Sequence, residues 1–259
     1  MTTVHTTISE GIARITLDNP PLNVTTLELT RSLHQTLRSI ADDASVRAVV
    51  LTGAGERAFN AGSDITEMPA LIAGGDVVER KIAFENQTFN LLENLPQATI
   101  AALNGVAYGG GLELAMCCDF IVGEEGLSVG MPEIKLGLFP GAGGAVRAAR
   151  RIGKARATEL VLLGDPLPTE RAVEWGLINR VVPRGESLSA ALHLARRLAE
   201  GPSQAVRLAK ESIALAYQEP GQQPIRSSNE LFRQVCATRD AAEGVTAFIE
   251  KRTPVFMNN

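Results

Sequence analysis

Apolar and polar positions alternate over the first part of the chain and then follow the longer period of helices. Residues 4–10 and 12–18 alternate on either side of a Glu-Gly pair, which predicts a β-hairpin. From Thr25 to Ala41, leucine and isoleucine recur at helical spacing, which predicts an amphipathic helix. The segment from Val46 to Thr52 is mostly apolar and predicts a buried strand.

The same reasoning extends to the rest of the chain. Up to Pro140 it predicts helices at 64–73, 77–95 and 112–117 and strands at 99–103, 120–122 and 127–131. Beyond Pro140 it predicts helices at 142–151, 154–163, 169–175 and 187–199, one strand at 177–182, and only helices after 201. Strands and helices alternate early and helices dominate late. We therefore expect an α/β fold with a core over residues 1–200 and a helical region over 201–259.

Composition narrows the function classes. The chain has 259 residues, 45% of them apolar, and a formal net charge of −4. It can bury a sizeable core, and its acidic balance argues against a nucleic acid or an anionic membrane as partner. The compact basic cluster at 147–154 is interpreted as a solvated helix face. No apolar run approaches the ~20 residues that cross a bilayer.

The cysteines and the first residues bear on the compartment. Cys117, Cys118 and Cys236 have neither disulfide nor metal-ligand spacing, so no metal site is predicted, and the adjacent pair is expected to be buried. The opening Met-Thr-Thr-Val-His-Thr-Thr lacks the basic start and apolar region of a signal peptide. We therefore expect a cytoplasmic protein.

A glycine-rich turn at 104–113 is the most informative segment. An apolar strand is predicted to run into this turn, which then opens a short helix with Glu113 in its first turn. Glycines let backbone N–H groups approach a ligand closely, and the first N–H groups of a helix have no intrahelical partner. The pattern favours a site for developing negative charge beside an acid–base group. Tight packing with a surface glutamate is the alternative.

Two more segments follow a similar logic. In 59–65, Asp64 suits a helix N-cap and the small Ala61-Gly62-Ser63 backbone can approach a ligand. In 131–141, Pro132 constrains the connection that carries Glu133, and apolar neighbours are expected to raise the pKa of its carboxyl group. A plain helix cap and a solvated surface glutamate are the respective alternatives.

Other chemistries find no support. The run at 141–146 lacks the last glycine of a dinucleotide-binding fingerprint, and Gly153-Lys154 lacks the residues of a phosphate loop. There is no Gly-x-Ser-x-Gly elbow, and the three histidines are far apart along the chain. Any chemistry therefore belongs to carboxylates and backbone amides.

Together these segments resemble the signature blocks of the enoyl-CoA hydratase/isomerase, or crotonase, family. The blocks are FNAGSDITEM at 59–68, NGVAYGGGLELAMCCD at 104–119 and MPEIKLGLFPGAGG at 131–144. The resemblance covers nearly the whole chain. It implies a spiral of ββα units and a C-terminal helical region that assembles trimers, which commonly pair into hexamers. It implies an acyl-CoA thioester as substrate and no cofactor, because coenzyme A is part of the substrate.

The resemblance also implies roles by position. The backbone N–H groups of Ser63 and Gly110 form an oxyanion hole, and Gly141 helps to hold the catalytic water. Hydratases carry both glutamates, at the positions of Glu113 and Glu133, as water-activating base and proton donor. Many isomerases keep only one carboxylate, often at Glu133.

Substrate contacts can be assigned in the same way. The residues placed against substrate or CoA are Ala61, Gly62, Asp64, Ile65, Tyr108, Gly109, Pro132, Phe248 and Lys251. Many hydratases have lysine where this chain has Thr66, so a CoA phosphate contact is expected elsewhere, with Arg57 and Lys251 as candidates or as plain surface charges. Met68, Leu71 and Ile72 are expected to face the acyl tail. The Ala-Gly-Gly-Asp break after them predicts a flexible wall and a short-to-medium acyl range.

The sequence thus favours hydration of a trans-2-enoyl-CoA. Isomerisation of a 3-enoyl-CoA through Glu133 alone is the nearest alternative. A non-catalytic RNA-binding or structural relative is the second, and the acidic charge balance argues against it.

Overall fold

The computed structural model describes residues 2–218 and 222–257. The strands are β1 (Thr3–Ser9), β2 (Ile12–Asp18), β3 (Ala48–Gly53), β4 (Ala58–Asn60), β5 (Ala98–Leu103), β6 (Val106–Tyr108), β7 (Phe120–Glu124), β8 (Ser128–Gly130), β9 (Leu167–Pro168) and β10 (Arg180–Val182). The helices are α1 (Leu27–Ala41), α2 (Met68–Gly74), α3 (Ala83–Glu93), α4 (Gly110–Ala115), α5 (Gly144–Leu163), α6 (Thr169–Trp175), α7 (Ser187–Ala199), α8 (Ser203–Gln218), α9 (Gln223–Cys236) and α10 (Arg239–Glu250).

A six-stranded sheet forms the centre, in the order β1-β2-β3-β5-β7-β10. The predicted hairpin is confirmed as β1 and β2, and every later neighbour in this sheet pairs in parallel. Strands β3 and β5 are buried along their whole length, as parallel strands covered on both faces are. Helix α7 covers one face, and α1, α3 and α4 contribute to the core on the other.

A second sheet of four short strands, in the order β4-β6-β8-β9, positions the candidate site. Strands β4, β6 and β8 run parallel, and β9 pairs antiparallel with β8. Each parallel strand ends just before a loop that the sequence analysis singled out. Because carboxyl ends of parallel strands meet at one edge, the three loops converge there. Strand β5 does lead into the glycine-rich segment 104–113, but this segment is not one continuous turn, because it contains β6.

Several predicted helices are built differently from the expectation. The helix expected at 64–73 is a 3-10 turn at Ile65–Glu67 followed by α2, and that at 77–95 is a π-helical turn at Val78–Ile82 followed by α3. The helices expected at 142–151 and 154–163 are confirmed as the two parts of α5. Its backbone breaks at Gly153, where φ is 76° and ψ is 163°.

The C-terminal helices α8, α9 and α10 confirm a helical end to the fold. The predicted region runs to residue 259, and 219–221 and 258–259 lie outside the described residues, as does Met1. Leu208 and Leu231 are buried, whereas Phe232 is exposed. The boundary at 200/201 stays a prediction.

The burial of the adjacent cysteine pair agrees with the expectation. Cys117 and Cys118 are buried, and Cys236 is exposed. Across the described parts of the chain, we find no helix with the length and apolar character needed to span a membrane.

Candidate active site

The loop after β4 presents the backbone N–H of Ser63. Ser63 pairs with Thr25 in an isolated parallel bridge, in which Thr25 N–H donates to Gly62 O at 2.8 Å and Asp64 N–H donates to Thr25 O at 3.0 Å. In a parallel bridge, one residue makes both hydrogen bonds, and the residue paired with it points its own N–H and C=O away from that partner strand. Here Thr25 makes both bonds and Ser63 is the paired residue. Ser63 N–H therefore points away from Thr25.

The loop after β6 brings a second N–H to the same place. Gly109 has a φ of 50° and ψ of −124°, a conformation that favours glycine, and its N–H donates to Gly130 O at 2.9 Å. Helix α4 then begins, and its Gly110 N–H is one of the first-turn donors without an intrahelical partner. A Cβ on Gly110 would lie 3.5 Å from Ser63 N. Two donors thus border one space, which suits a carbonyl oxygen that gains negative charge.

Glu113 lies on the first turn of α4 and is 3% exposed. Its Oε1 accepts a hydrogen bond from Gly144 N–H at 2.8 Å. The pKa of Glu113 is raised to about 8, chiefly by burial, and the charges of Glu133 and Glu85 contribute to this increase against the lowering effect of the Gly144 hydrogen bond. A Cβ on Gly110 would lie 3.8 Å from Glu113 Oε2, so this oxygen faces the space beside the two N–H donors.

Glu133 approaches from the loop after β8. It lies in a 3-10 turn at Pro132–Leu136, and burial raises the pKa of its carboxyl group. A Cβ on Gly109 would lie 2.6 Å from Glu133 Oε1, which shows how closely the carboxyl group approaches the glycine-rich turn. Its Oε2 is buried, and the described residues give it no hydrogen-bond partner. The two carboxyl groups therefore approach the same turn, Glu133 at Gly109 and Glu113 at Gly110.

The surroundings of Glu133 differ from the expectation. The sequence predicts that apolar neighbours along the chain desolvate Glu133, and of these Ile134, Leu136 and Phe139 are exposed. The Glu133 Oε2 atom is nevertheless buried, close to the glycine-rich turn. The direction of the pKa shift and its cause, desolvation, were expected correctly, although three of the apolar neighbours are exposed.

Gly141 lies in the turn that precedes α5, three residues before the donor to Glu113. Its carbonyl oxygen accepts a hydrogen bond from Asn86 Nδ2 at 3.2 Å. The same turn leads to the Gly144 N–H that donates to Glu113. Among the described residues, no cluster of histidine, cysteine and carboxylate side chains could hold a metal ion.

A family model described as enoyl-CoA hydratase/isomerase matches residues 7–259 of this chain. The chain belongs to the enoyl-CoA hydratase/isomerase family. A Dictyostelium discoideum protein named "Probable enoyl-CoA hydratase, mitochondrial" is 38% identical over 258 residues, which cover 98% of this chain and 90% of that protein. A Clostridium acetobutylicum protein named "Short-chain-enoyl-CoA hydratase" is 35% identical over 243 residues, 93% of this chain and 92% of that one.

Solved structures agree. A crystal structure of enoyl-CoA hydratase from Bacillus anthracis matches this member of the enoyl-CoA hydratase/isomerase family with a TM-score of 0.93 and 36% identity, over 99% of this chain and 100% of that one. The α/β fold expected from the resemblance, a crotonase-like core with C-terminal helices, is therefore confirmed.

The remaining predicted contacts of this family member fall into two groups. Ala61, Gly62, Ile65 and Pro132 lie on the converging loops, together with Asp64 and Tyr108. The Asp64 carboxylate accepts hydrogen bonds from Thr66 N and Oγ1, which lower its pKa, so it caps the 3-10 turn. The Tyr108 hydroxyl hydrogen-bonds Ser128 Oγ within the small sheet. Both side chains thus shape the loops.

The second group lies on α10 and its end. Phe248 is 85% exposed, and Lys251 ends the helix with a φ of 57°. The hydrogen bonds and ion pairs among residues 2–218 and 222–257 give the Lys251 side chain no partner. Their predicted contacts with the substrate stay predictions.

The basic cluster at 147–154 was misinterpreted in part. Arg147 is buried, with its guanidinium bound to Glu93 Oε2 at 2.7 Å, Asn90 Oδ1 at 2.6 Å and Ala142 O at 2.8 Å. Arg151 donates to Leu177 O at 2.9 Å. Partners far away in sequence draw these two side chains inward, whereas Arg150 and Lys154 are exposed, so only part of the cluster is a solvated face.

Three residues beside the site escaped the sequence analysis. Gly144 was noted only as part of a glycine run, although a final glycine at a helix N-terminus signals a free N–H. Lys81 and Glu85 are 1% and 2% exposed and pair across one helical turn. Their opposite charges at i and i+4 on an otherwise apolar face were the available signal.

Proposed function

We propose that this protein is an enoyl-CoA hydratase that adds water across the double bond of a trans-2-enoyl-CoA to give a 3-hydroxyacyl-CoA. The observation that carries the proposal is the placement of two carboxyl groups, Glu113 and Glu133, around one glycine-rich turn beside two convergent N–H groups. The names of the relatives at 35–38% identity support it.

In this mechanism the thioester oxygen accepts hydrogen bonds from Ser63 N–H and Gly110 N–H. Addition of water at C3 moves an electron pair from the double bond towards C2 and the thioester oxygen, giving enolate character. Backbone donors that are already in place stabilise that charge without reorganisation. Loss of one such donor typically costs roughly 10²–10³-fold in rate.

The two glutamates divide the proton transfers. In the reactive arrangement the proton that the pair shares lies on Glu133. Ionised Glu113 then takes a proton from water as the water oxygen bonds to C3, and protonated Glu133 gives its proton to C2. The raised pKa values of both groups fit a pair that shares one proton. Gly144 N–H holds one oxygen of Glu113, and Gly141 N–H helps to hold the water. A proton passed from Glu113 back to Glu133 resets the site.

The test is loss of the near-UV absorbance of crotonyl-CoA and longer enoyl-CoA thioesters when the protein is added. We expect Glu113→Gln and Glu133→Gln each to lower kcat by roughly 10²–10⁴-fold, the usual worth of general acid–base catalysis. An isomerase that works through Glu133 would retain much of its rate on a 3-enoyl-CoA in the Glu113→Gln variant. No change with any 2-enoyl chain length would reject hydration.

Substrate recognition needs no further cofactor in this proposal, because coenzyme A enters with the substrate. The thioester is lined by Ala61, Gly62, Gly109 and Pro132. Arg57 and Lys251 are proposed to contact the CoA phosphates, because this chain has Thr66 where many hydratases have lysine. Ile72 is exposed and Leu71 is buried, so Met68 and Ile72 remain the proposed contacts to the acyl tail. A ladder of acyl lengths tests the proposed short-to-medium range, and a sharp preference for a branched or aryl compound would reject it.

Assembly and location are also proposed. The C-terminal helices expose apolar side chains, among them Ile213, Phe232, Phe248 and Ile249. Soluble monomers rarely leave large contiguous apolar patches in solvent, so we propose a trimer or a dimer of trimers. Light scattering that gave a mass near 27.5 kDa would contradict it.

Free cysteines support a reducing, cytoplasmic location. Arg147 and Arg151 form hydrogen bonds within the protein, so the basic cluster gives RNA binding no support.

A further inference from the structure

A buried charge cluster lies directly behind the loop that carries Ser63. The Lys81 ammonium is 2.7 Å from Glu67 Oε2 and 3.2 Å from Glu85 Oε1, and it donates to Thr25 O at 3.3 Å. Lys81 and Glu85 are almost completely excluded from solvent. A buried ion pair is weak evidence for stability, because apolar side chains of similar volume often stabilise a protein as well or better. The pair therefore calls for another explanation.

The three contacts of Lys81 join three chain segments. Thr25 is the residue that pairs with Ser63, and its carbonyl oxygen also accepts from Asp64 N–H. Glu67 ends the 3-10 turn that follows the same loop. The Lys81 ammonium thus holds the Ser63 loop at two points: through Thr25, which pairs with Ser63, and through Glu67, which follows the loop. The direction of Ser63 N–H depends on both contacts.

The helical segment that carries Lys81 also contacts the other half of the site. Ile82 lies against Gly141, where an added Cβ would meet its Cδ1 at 3.3 Å, and Asn86 Nδ2 donates to Gly141 O. Lys81 lies in the π-helical turn Val78–Ile82, and such turns occur frequently at functional sites. The charge of Glu85 also reaches Glu113, whose pKa it raises.

We propose that Lys81 is a positioning residue for the proposed hydration reaction: anchored by Glu85 and Glu67, it fixes the loop that presents Ser63 N–H relative to Gly110 N–H. The inference rests on the proposed function and deepens it. In this proposal the buried pair Lys81–Glu85 sets the geometry of the N–H donors around the thioester oxygen. Lys81 does not touch the substrate, so its removal should act on kcat more than on KM.

The test compares Lys81→Met and the double variant Lys81→Met/Glu85→Gln with wild type and with Lys154→Met, which changes an exposed lysine. We expect kcat on crotonyl-CoA to fall by roughly 10²-fold in both Lys81 variants, since an ångström of misplacement costs about that much. KM should change little. Thermal unfolding should recover in the double variant, which leaves no unpaired buried charge, while kcat stays low.

A second measurement does not need turnover. Butyryl-CoA labelled with 13C at the thioester carbonyl has no double bond to hydrate, and its infrared carbonyl stretch reports hydrogen bonding in the bound state. We expect a shift to lower frequency in wild type and in Lys154→Met, and a smaller shift in both Lys81 variants. If the Lys81 variants do not fold, Glu67→Gln replaces them, because Glu67 is partly in solvent and its loss weakens only one anchor of the ammonium.

The outcomes separate the two ideas. A wild-type protein that hydrates no enoyl-CoA rejects the proposed function, and the carbonyl shift still tests the role of Lys81. A double variant with wild-type kcat and an unchanged carbonyl shift overturns the inference and makes the pair structural only. If Glu67→Gln stands in, wild-type kcat and an unchanged shift in that variant overturn it equally.

Discussion

Glu113 and Gly144 are joined by a hydrogen bond of 2.8 Å from the Gly144 N–H to the carboxylate, although they lie 31 residues apart. Both residues stand near the start of a helix, Glu113 on α4 and Gly144 as the first residue of α5. The bond fixes one oxygen of the carboxyl group and leaves the other towards the N–H donors. It therefore orients the group that we propose as the base.

Gly144→Ala should damage this orientation while leaving the fold in place. The added Cβ would lie 2.6 Å from Glu113 Cγ and 2.7 Å from Glu113 Oε1, so the carboxyl group must move. We expect kcat to fall by roughly 10²-fold, measured on crotonyl-CoA. Gly244→Ala on α10 is the matched control, because its Cβ makes only ordinary contact with Phe256. Equal activities in the two variants would contradict the prediction.

Gly110→Ala should separate folding from binding. Its Cβ would stand 3.5 Å from Ser63 N, an ordinary contact, so the thermal unfolding temperature should change little. The methyl group would occupy the space where we place the thioester oxygen. We expect kcat/KM to fall by roughly 10²–10³-fold. A variant with normal kcat/KM would place the oxygen elsewhere.

Glu113→Gln should change how stability depends on pH. Burial raises the pKa of Glu113 from 4.5 to about 8 in the folded protein. The folded state therefore holds a proton that the unfolded state releases above its own pKa, and this contribution to stability is lost as pH rises from about 4.5 towards 8. The glutamine variant has no such loss.

We therefore expect the free energy of unfolding of Glu113→Gln to increase relative to that of wild type between about pH 5 and pH 8.5, by on the order of a few kcal/mol. The unfolding temperature should rise accordingly. Differential scanning calorimetry at several pH values measures it. Glu174→Gln, at an exposed position, is the control. An identical pH dependence for wild type and Glu113→Gln would mean that Glu113 is not titrating in this range.

Arg147→Met should destabilise the fold. Arg147 is buried and donates to Glu93, Asn90 and Ala142 O, and removing one partner of a buried pair typically costs about 3–5 kcal/mol. Because Glu93 is partly exposed, we expect about 3 kcal/mol, the lower end of that range. Denaturant unfolding measures it, with the exposed Arg150→Met as control. Similar midpoints for the two variants would refute the prediction.

The site could be found from the sequence to the extent that its chemistry is local. Glu113 sits four residues after Gly109, and Glu133 directly follows Pro132, so each loop shows its carboxyl group and its glycine or proline together. The hairpin and α1 were also predictable, because their apolar periods are long enough to be unambiguous.

The rest depends on contacts between distant segments. Strands β6 and β9 have three and two residues, too few to show alternation. The burial of Arg147 depends on Glu93, which lies 54 residues away. Lys81 looks like any surface lysine until Thr25 and Glu67 are brought to it by the fold. The pattern of apolar and polar residues does not indicate which distant residues come into contact in the fold.

The small sheet has a consequence for how chemistry can diversify. One loop, after β4, carries a backbone donor alone; the loop after β8 carries a side-chain acid; the loop after β6 carries one of each. Replacing the carboxyl group on the β8 loop would leave the Ser63 and Gly110 amides untouched. A single scaffold can therefore keep one way of activating thioesters and exchange the group that moves protons, and new reactions need few substitutions.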